Sequence, residues 1–257
     1  MLNFDIEARG ICRLYLDRPQ VHNALDGPLV SALLDKLTFI NQNDTIRVVI
    51  LSGTGKSFSS GADLQWMRAM QKSDNQTNYE DAQHLAQLMY VLYSLNKPTI
   101  ARINGSALGG AIGLIACCDY AIAVESAQFA FTEVKLGLMP AVITPYIVSS
   151  IGLRRTKHLF LSAAKFDADA AAQTGLIQEV VTATQLDDAV DRHVSLLLQG
   201  GPIAQQKIKV SLQRYAAIDQ NTINHTAKQI ADMRASTEGQ EGITAFLEKR
   251  QTRWSQE

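Results

Sequence analysis

The stretch that most constrains the fold is 97–119, with the sequence KPTIARINGSALGGAIGLIACCD. A β-rich run, 99–103, is followed by a turn, and Gly109 and Gly110 then open an almost wholly apolar helix. The unpaired backbone N–H groups at such a helix start, together with the helix dipole, can stabilise a negatively charged oxygen. The stretch therefore predicts a strand–turn–helix unit and chemistry in which a carbonyl becomes an oxyanion.

Strands and helices alternate along the first half of the chain, which indicates an α/β core. The predicted strands are 2–8, 11–16, 47–52, 99–103 and 120–124. The predicted helices begin near Pro28 and Leu64 and cover 80–95 and the segment after Gly109. A glycine- and serine-rich loop, 53–63, connects the third strand to the helix near Leu64.

Beyond about residue 140 the pattern becomes helical. Asp167 is placed to cap a helix that Gly175 ends, and Thr237 with Gln240 forms a possible capping box for a last helix. Pro202 starts a further helix with three apolar residues, Ile203, Ile208 and Leu212. We expect this helical part to form a partner surface or a cover.

Composition narrows the function classes. With 257 residues, 46% of them hydrophobic, the chain can bury a substantial core. Its net charge of −1 gives no excess of positive charge that would attract nucleic acid or an anionic membrane. The histidines lack paired ligand spacing, so we expect no metal site. The N-terminus lacks the features of a secretory signal, and no apolar run is long enough to span a bilayer. We expect a cytoplasmic protein that binds neither nucleic acid nor a membrane, with its three cysteines reduced.

Five segments in order resemble the crotonase, or enoyl-CoA hydratase/isomerase, superfamily over nearly the whole chain. They are LDRPQVHNALD (16–26), FSSGADL (58–64), PTIARINGSALGGAIGL (98–114), FTEVKLGLMPA (131–141) and EGITAFLEKR (241–250). The resemblance implies a core of repeated ββα turns over 1–195 and a helical trimerisation region over 196–257. It also implies an acyl-CoA thioester substrate, no separate cofactor because CoA is part of the substrate, and a homotrimer or a hexamer built as a dimer of trimers.

The resemblance assigns catalytic roles to three residues. The backbone N–H groups of Ala62 and Gly110 would hold the thioester oxyanion, and Glu133 would act as general acid or base. Ala62 and Gly110 each follow a glycine at a loop-to-helix junction, where backbone can approach a ligand closely. From the residues alone, those glycines are better explained as turn formers and Glu133 as a solvated loop carboxylate, and the catalytic roles are what the resemblance implies.

At one position the chain departs from the family pattern. Hydratases with two catalytic glutamates carry the second where this chain has Gly113, which cannot activate water. Glu133 would then act alone, either in hydration, with the substrate's own carboxylate or a polar side chain positioning the water, or as the single base of an isomerase.

The resemblance also gives candidate substrate-binding residues. Val21 and Ala24 are expected near the CoA, while Phe246 and Lys249 are expected to come from a neighbouring subunit. Trp66 and Tyr146 are candidates for the acyl pocket or for the core. The remaining candidates are Asp63 (also a helix cap), Leu64, Gly109, Gly113 and Pro140.

Within the superfamily, strings such as LGLMPAVITPYIV (136–148) resemble bacterial methylglutaconyl-CoA hydratases, and hydratases of acyclic-terpene degradation share part of this pattern. The leading hypothesis is hydration of a branched or carboxylated enoyl-CoA such as 3-methylglutaconyl-CoA. The alternatives are an enoyl-CoA Δ3-Δ2 isomerase and a non-catalytic CoA-binding or RNA-associated homologue.

Overall fold

The computed structural model describes residues 1–213 and 220–252, so parts of the predicted region 196–257 lie outside the described residues. The described strands are β1 (Leu2–Glu7), β2 (Ile11–Leu16), β3 (Val48–Gly53), β4 (Ser57–Ser59), β5 (Thr99–Ile103), β6 (Ser106–Leu108), β7 (Tyr120–Val124), β8 (Gln128–Ala130), β9 (Phe166–Asp167) and β10 (Glu179–Val181).

The described α-helices are α1 (Gly27–Gln42), α2 (Leu64–Gln71), α3 (Asn75–Tyr93), α4 (Gly110–Cys117), α5 (Thr144–Ile151), α6 (Leu153–Ser162), α7 (Ala168–Thr174), α8 (Leu186–Gln199), α9 (Pro202–Gln213), α10 (Gln220–Ala235) and α11 (Thr237–Leu247). Short 3-10 helices lie at Ala8–Gly10, Pro19–Val21, Glu133–Leu136 and Ala183–Gln185. No helix in the described part of the chain is both long enough and apolar enough to cross a membrane.

The described strands form two sheets. The larger has the order β1-β2-β3-β5-β7-β10, with β1 antiparallel to β2 and the other neighbours parallel. The smaller has the order β4-β6-β8-β9, parallel except for the pair β8 and β9. The hairpin predicted from the first sixteen residues is confirmed.

Three consecutive strand pairs build the repeat. β3, β5 and β7 lie side by side in the larger sheet, and the strand after each of them, β4, β6 or β8, joins the smaller sheet. Helical segments follow each pair before the chain returns to the larger sheet. This is the ββα arrangement expected for the fold class. The 53–63 segment, predicted as a loop, contains β4, a strand too short for period-two alternation to reveal it.

Burial follows the predicted periodicity. Every residue of β3 is buried, as expected for a central parallel strand covered on both faces. On α1 the apolar residues at helical spacing are also buried, and its N-cap, Asp26, accepts a hydrogen bond from the backbone N–H of Leu29. The sheet and the helices therefore share one core.

Two helix caps can be compared with their predictions. Asp167 caps α7, and Gly175 ends it in the left-handed conformation, as predicted. The predicted cap of the last helix is wrong, because Ser236 rather than Thr237 accepts the hydrogen bond from the backbone N–H of Gly239. The side chain of Gln240 instead donates to the carbonyl oxygen of Arg234.

The C-terminal helices pack on the core of their own chain. α10 lies against α3, and α11 lies against α2 and the 3-10 helix Glu133–Leu136. The predicted boundary between residues 195 and 196 falls within α8. This packing brings α10 and α11 to the cavity described next.

Candidate active site

A cavity of about 840 Å³ lies among α2, the start of α4, the 3-10 helix Glu133–Leu136, α10 and α11. Its lining is mainly apolar, with methionine, leucine and isoleucine side chains around a few polar groups. Ala62, Gly110 and Glu133, the three residues expected to be catalytic, all line it. A largely apolar cavity with a few convergent polar groups is typical of a small-molecule site.

The backbone around Ala62 is fixed by Leu25. The N–H of Leu25 donates to the carbonyl oxygen of Gly61, and the N–H of Asp63 donates to the carbonyl oxygen of Leu25, at 2.7 and 2.9 Å. Successive N–H groups in such an extended segment point in opposite directions. The N–H of Ala62 therefore points away from Leu25, and it donates no hydrogen bond to any described residue.

Next to Ala62 in the chain, the helix-capping carboxylate of Asp63 shares the guanidinium of Arg18 with the carboxylate of Asp26, which caps α1. The Nη2 of Arg18 lies 3.0 Å from Oδ2 of Asp63, and its Nη1 lies 2.9 Å from Oδ2 of Asp26. The Oδ1 of Asp63 accepts from the backbone N–H groups of Gln65 and Trp66 at the start of α2. Asp63, a predicted substrate-binding residue, is thus buried as a helix cap that holds the segment carrying Ala62.

The second N–H belongs to Gly110, the first residue of α4. The preceding residue, Gly109, donates to the carbonyl oxygen of Ala130 in β8 at 2.9 Å and has a φ of +53°, which favours glycine. Within the described residues the N–H of Gly110 donates no hydrogen bond, as is usual in the first turn of a helix. The cavity therefore has two unpaired backbone donors in its wall.

Glu133 lies directly over Gly109. A Cβ built on Gly109 would stand 3.0 Å from Oε1 of Glu133, so the absence of a side chain leaves room for the carboxylate. The Oε2 atom is buried and has no hydrogen-bond partner. Burial raises the pKa of Glu133 from 4.5 to about 7, partly offset by the backbone N–H groups of Glu133 and Thr132. A carboxyl with a pKa near neutrality is suited to both accept and release a proton.

Ile143 separates Gly113 from the cavity. A Cβ on it would stand 2.2 Å from Cγ2 and 2.9 Å from Cβ of Ile143, and 3.3 Å from Cε of Met89. Ile143 itself lines the cavity, whereas Gly113 does not. The position where two-glutamate hydratases carry a second carboxylate is therefore covered by an apolar side chain.

The other predicted substrate-binding residues divide between lining and support. Those that line the cavity are Leu64, Trp66, Gly109, Pro140 and Phe246. Those outside the lining are Val21, Ala24, Asp63, Gly113, Tyr146 and Lys249. The structure thus brings part of the predicted set together around Glu133.

The residues outside the lining have identifiable positions. Tyr146 is buried, and its ring meets that of Tyr93 edge to face at a centroid distance of 5.3 Å. Val21 ends the 3-10 helix Pro19–Val21, and its carbonyl oxygen accepts a hydrogen bond from the hydroxyl of Ser60. Ala24 is buried three residues later. Lys249 is exposed just after α11.

Phe246 lines the cavity of its own chain and is 47% exposed there. It reaches the cavity because α11 packs against α2 and the 3-10 helix Glu133–Leu136. Its expected contact with the CoA of a neighbouring subunit stays a prediction.

Sequence reasoning missed Arg234, a charged residue in the cavity lining that is only 9% exposed. The signal was a lone arginine on the apolar stripe of α10, four residues after Ile230 and in line with its buried neighbours. Ile143 was also missed, because its role depends on a contact with Gly113 thirty positions earlier.

Among the described residues, no group of three or more His, Cys, Asp or Glu side chains is arranged to hold a metal ion.

Two cysteines, Cys12 and Cys117, are buried, and burial raises the pKa of both thiols. This agrees with the expectation that they pack as small hydrophobic residues rather than act as nucleophiles.

Comparison with known proteins agrees with this geometry. The model of the enoyl-CoA hydratase/isomerase family matches residues 7–257. The chain is 34% identical to the 2,3-dehydroadipyl-CoA hydratase of Escherichia coli, with 92% of each chain covered, and 31% identical to the crotonyl-CoA hydratase of Syntrophomonas wolfei, covering 92% of this chain and 91% of that one.

Among solved structures, an enoyl-CoA hydratase from Shewanella pealeana is 41% identical, with a TM-score of 0.81 over 98% of this chain and 95% of that one. Fold, cavity and comparisons lead to the same conclusion: this chain is an enzyme of the enoyl-CoA hydratase/isomerase family, within the crotonase superfamily.

Proposed function

We propose that the protein is a hydro-lyase that adds water across the double bond of an α,β-unsaturated acyl-CoA. A single observation carries the proposal. Two unpaired backbone N–H groups, those of Ala62 and Gly110, and a carboxylate with one unpartnered oxygen, Oε2 of Glu133, line one apolar cavity. Donors for a thioester oxygen and a proton-transfer group with a pKa near neutrality are the two requirements of this reaction.

In the proposed reaction Glu133 takes a proton from water, and the oxygen of that water bonds to the β-carbon of the substrate. The electron pair of the double bond moves toward the thioester, whose oxygen becomes negative and accepts hydrogen bonds from Ala62 and Gly110. The protonated Glu133 then delivers its proton to the α-carbon, and the thioester carbonyl reforms. Removing one such donor typically lowers the rate about 100- to 1,000-fold.

For the acyl group we propose a branched or carboxylated chain, of which 3-methylglutaconyl-CoA is the leading example. Support comes from the segment 140–143, whose residues line the cavity, and from the Oγ1 of Thr144, which donates to the carbonyl oxygen of Pro140 at 2.8 Å at the end of that segment. The named substrate of the Escherichia coli relative, 2,3-dehydroadipyl-CoA, is also a carboxylated enoyl thioester.

Double-bond isomerisation is the second candidate, and a specific observation favours it. Among the described residues that line the cavity, Glu133 is the one acidic side chain, since Ile143 covers the position of Gly113. Moving a proton between the α- and γ-carbons of a 3-enoyl-CoA needs only one base, whereas hydration also needs a positioned water.

The test is a panel of thioesters assayed for both reactions with the purified protein. We expect hydration of 3-methylglutaconyl-CoA, followed as loss of the absorbance of the conjugated thioester, and a fall of about 100- to 10,000-fold in kcat for Glu133→Gln. The exposed residue Glu125 provides the matched control, because Glu125→Gln makes the same chemical change away from the cavity. Turnover of 3-enoyl-CoA without hydration would select the isomerase instead.

We further propose a homotrimer or a dimer of trimers. Support comes from α9, where Ile203, Ile208 and Leu212 are 67%, 56% and 62% exposed. Exposure of several apolar side chains on one helix is unfavourable on a free surface.

A cytoplasmic location and the lack of a separate cofactor stay predictions from the sequence.

A further inference from the structure

We propose that Arg234 is the residue that binds a carboxylate at the far end of the acyl chain and so selects ω-carboxylated thioesters. The inference deepens the proposed function and depends on it, because it takes an acyl-CoA to be the occupant of the cavity. Arg234 lies on α10, whereas Glu133 and Gly110 come from the 3-10 helix and α4. The proposal therefore assigns recognition and chemistry to different elements.

The guanidinium of Arg234 is fixed from two sides. Its Nη1 donates to Oδ2 of Asp81 on α3 at 2.8 Å, and its Cζ lies 5.0 Å from the ring centroid of Trp66 on α2. The side chains of Arg234 and Asp81 are 11% and 13% exposed, so solvent screens this pair weakly. An orientation fixed by an ion pair and a cation–π contact gives the remaining donors a defined direction.

Those remaining donors are Nε and Nη2 of Arg234. Neither donates a hydrogen bond to any described residue, and neither is among the sealed polar atoms that lack a partner. These two nitrogens form one edge of the guanidinium, and their parallel N–H groups match the two oxygens of a carboxylate. Because Arg234 lines the cavity, we infer that this edge is open to a ligand there.

The charges of the cavity agree with an anionic ligand. Besides Arg234, the described lining contains two basic residues, Lys135 and Arg250, and one acidic residue, Glu133. Arg250 is held by Glu241 and Glu248 outside the lining. Asp81 already balances one positive charge, so a ligand carboxylate would gain chiefly from the two hydrogen bonds at the Nε–Nη2 edge.

A structural role alone is the competing explanation, in which Arg234 only joins α10 to α3 through Asp81. The two explanations differ in what they predict for ligands. A structural role would change the affinity for all acyl chains alike, whereas carboxylate recognition changes the affinity only for chains that end in a carboxylate.

The test compares dissociation constants of saturated thioesters, which cannot be hydrated, measured by titration calorimetry on the full chain. Each carboxylated thioester is paired with a neutral one of equal length: succinyl- with butyryl-CoA, glutaryl- with valeryl-CoA and adipyl- with hexanoyl-CoA. We expect the wild type to prefer the carboxylated partner for at least one length. Arg234→Met should reduce that preference about 10- to 100-fold, the value of hydrogen bonds to a charged group.

Two further variants keep the test decisive. Lys135→Met removes a positive charge from an exposed lining residue and should change the preference by less than about fivefold. If Arg234→Met fails to fold, Arg234→Lys preserves a cation beside Asp81 but lacks the planar edge, and it too should reduce the preference.

The proposal for Arg234 is overturned if the wild type does not prefer carboxylated thioesters at any length. It is also overturned if the Arg234 variants keep the wild-type preference. Binding of the saturated series without turnover of any unsaturated thioester would contradict only the proposed reaction. If no thioester binds at all, both proposals fail.

Discussion

Gly113 and Ile143 are packed so closely that a methyl group at Gly113 would stand 2.2 Å from Cγ2 of Ile143. This contact fills the place where two-glutamate relatives have a second carboxylate, and it leaves Glu133 as the acidic group of the described cavity lining. The proposed reaction therefore uses one protein carboxylate, that of Glu133. The contact also gives the first testable prediction.

Gly113→Ala should destabilise the protein, although alanine is the better helix former. The added methyl group meets Ile143 in a close-packed core, and such overpacking costs roughly 1–3 kcal/mol, more than the gain of about 1 kcal/mol from replacing glycine in a helix. Denaturant unfolding measures the change. Gly110→Ala is the matched control on α4, because its methyl group would meet only Cδ1 of Leu25, at 3.9 Å.

The same contact can be tested by a double-mutant cycle. Ile143→Ala removes Cγ2, so Gly113→Ala should be less destabilising in that background than in the wild type. An interaction free energy of about 1 kcal/mol or more in the favourable direction is expected for residues in direct contact. Strict additivity would show that the two side chains do not share the space.

The pH dependence of the reaction should follow Glu133. Its pKa is raised to about 7 because burial disfavours the charged carboxylate, and the proposed hydration begins with that charged form. The kcat/KM for hydration should therefore rise with pH and level off above an apparent pKa near 7. A profile that is already flat above pH 5 would contradict the assignment of Glu133 as base.

Glu133→Gln should raise the stability of the fold at alkaline pH. Because the pKa of Glu133 is higher in the folded chain than its ordinary value of 4.5, the folded state binds more protons between these values. The free energy of unfolding of the wild type therefore falls as the pH rises from 4.5 to about 7, by roughly 1–3 kcal/mol. Glutamine does not titrate, so the variant should escape this loss.

Thermal unfolding of both proteins at pH 5 and pH 8 tests this prediction. The stability advantage of Glu133→Gln over the wild type should be larger at pH 8. Glu125→Gln, the same chemical change on an exposed residue, is the matched control. If the stability difference between Glu133→Gln and the wild type is the same at pH 5 and pH 8, the pKa of Glu133 is not raised by burial.

Assembly should depend on the apolar residues of α9. Ile208→Asp places a charge on a surface proposed to lie between subunits, so it should shift the protein toward monomers in light scattering coupled to size-exclusion chromatography. Gln206→Asp puts the same group on an exposed polar position of α9 and serves as the control. A monomeric wild type would refute the proposed assembly.

Secondary structure was predicted correctly where it depends on residues that are close together in the sequence. The buried strand β3, the amphipathic helix α1 and the capped helix α7 were predicted correctly, because each is encoded by neighbouring residues: apolar runs, helical spacing, and a cap with a terminating glycine. The short strands β4 and β6 were missed, since three residues carry too little pattern.

For the site, the sequence by itself determined the glycine junctions before Ala62 and Gly110 and the departure at Gly113. The tertiary structure decided the rest. The N–H of Ala62 is unpaired because Leu25 holds its neighbours, and Glu133 has a raised pKa because the fold buries its carboxylate over Gly109. Contacts between residues far apart in the chain set direction, burial and charge environment, and these are the properties that a local pattern does not encode.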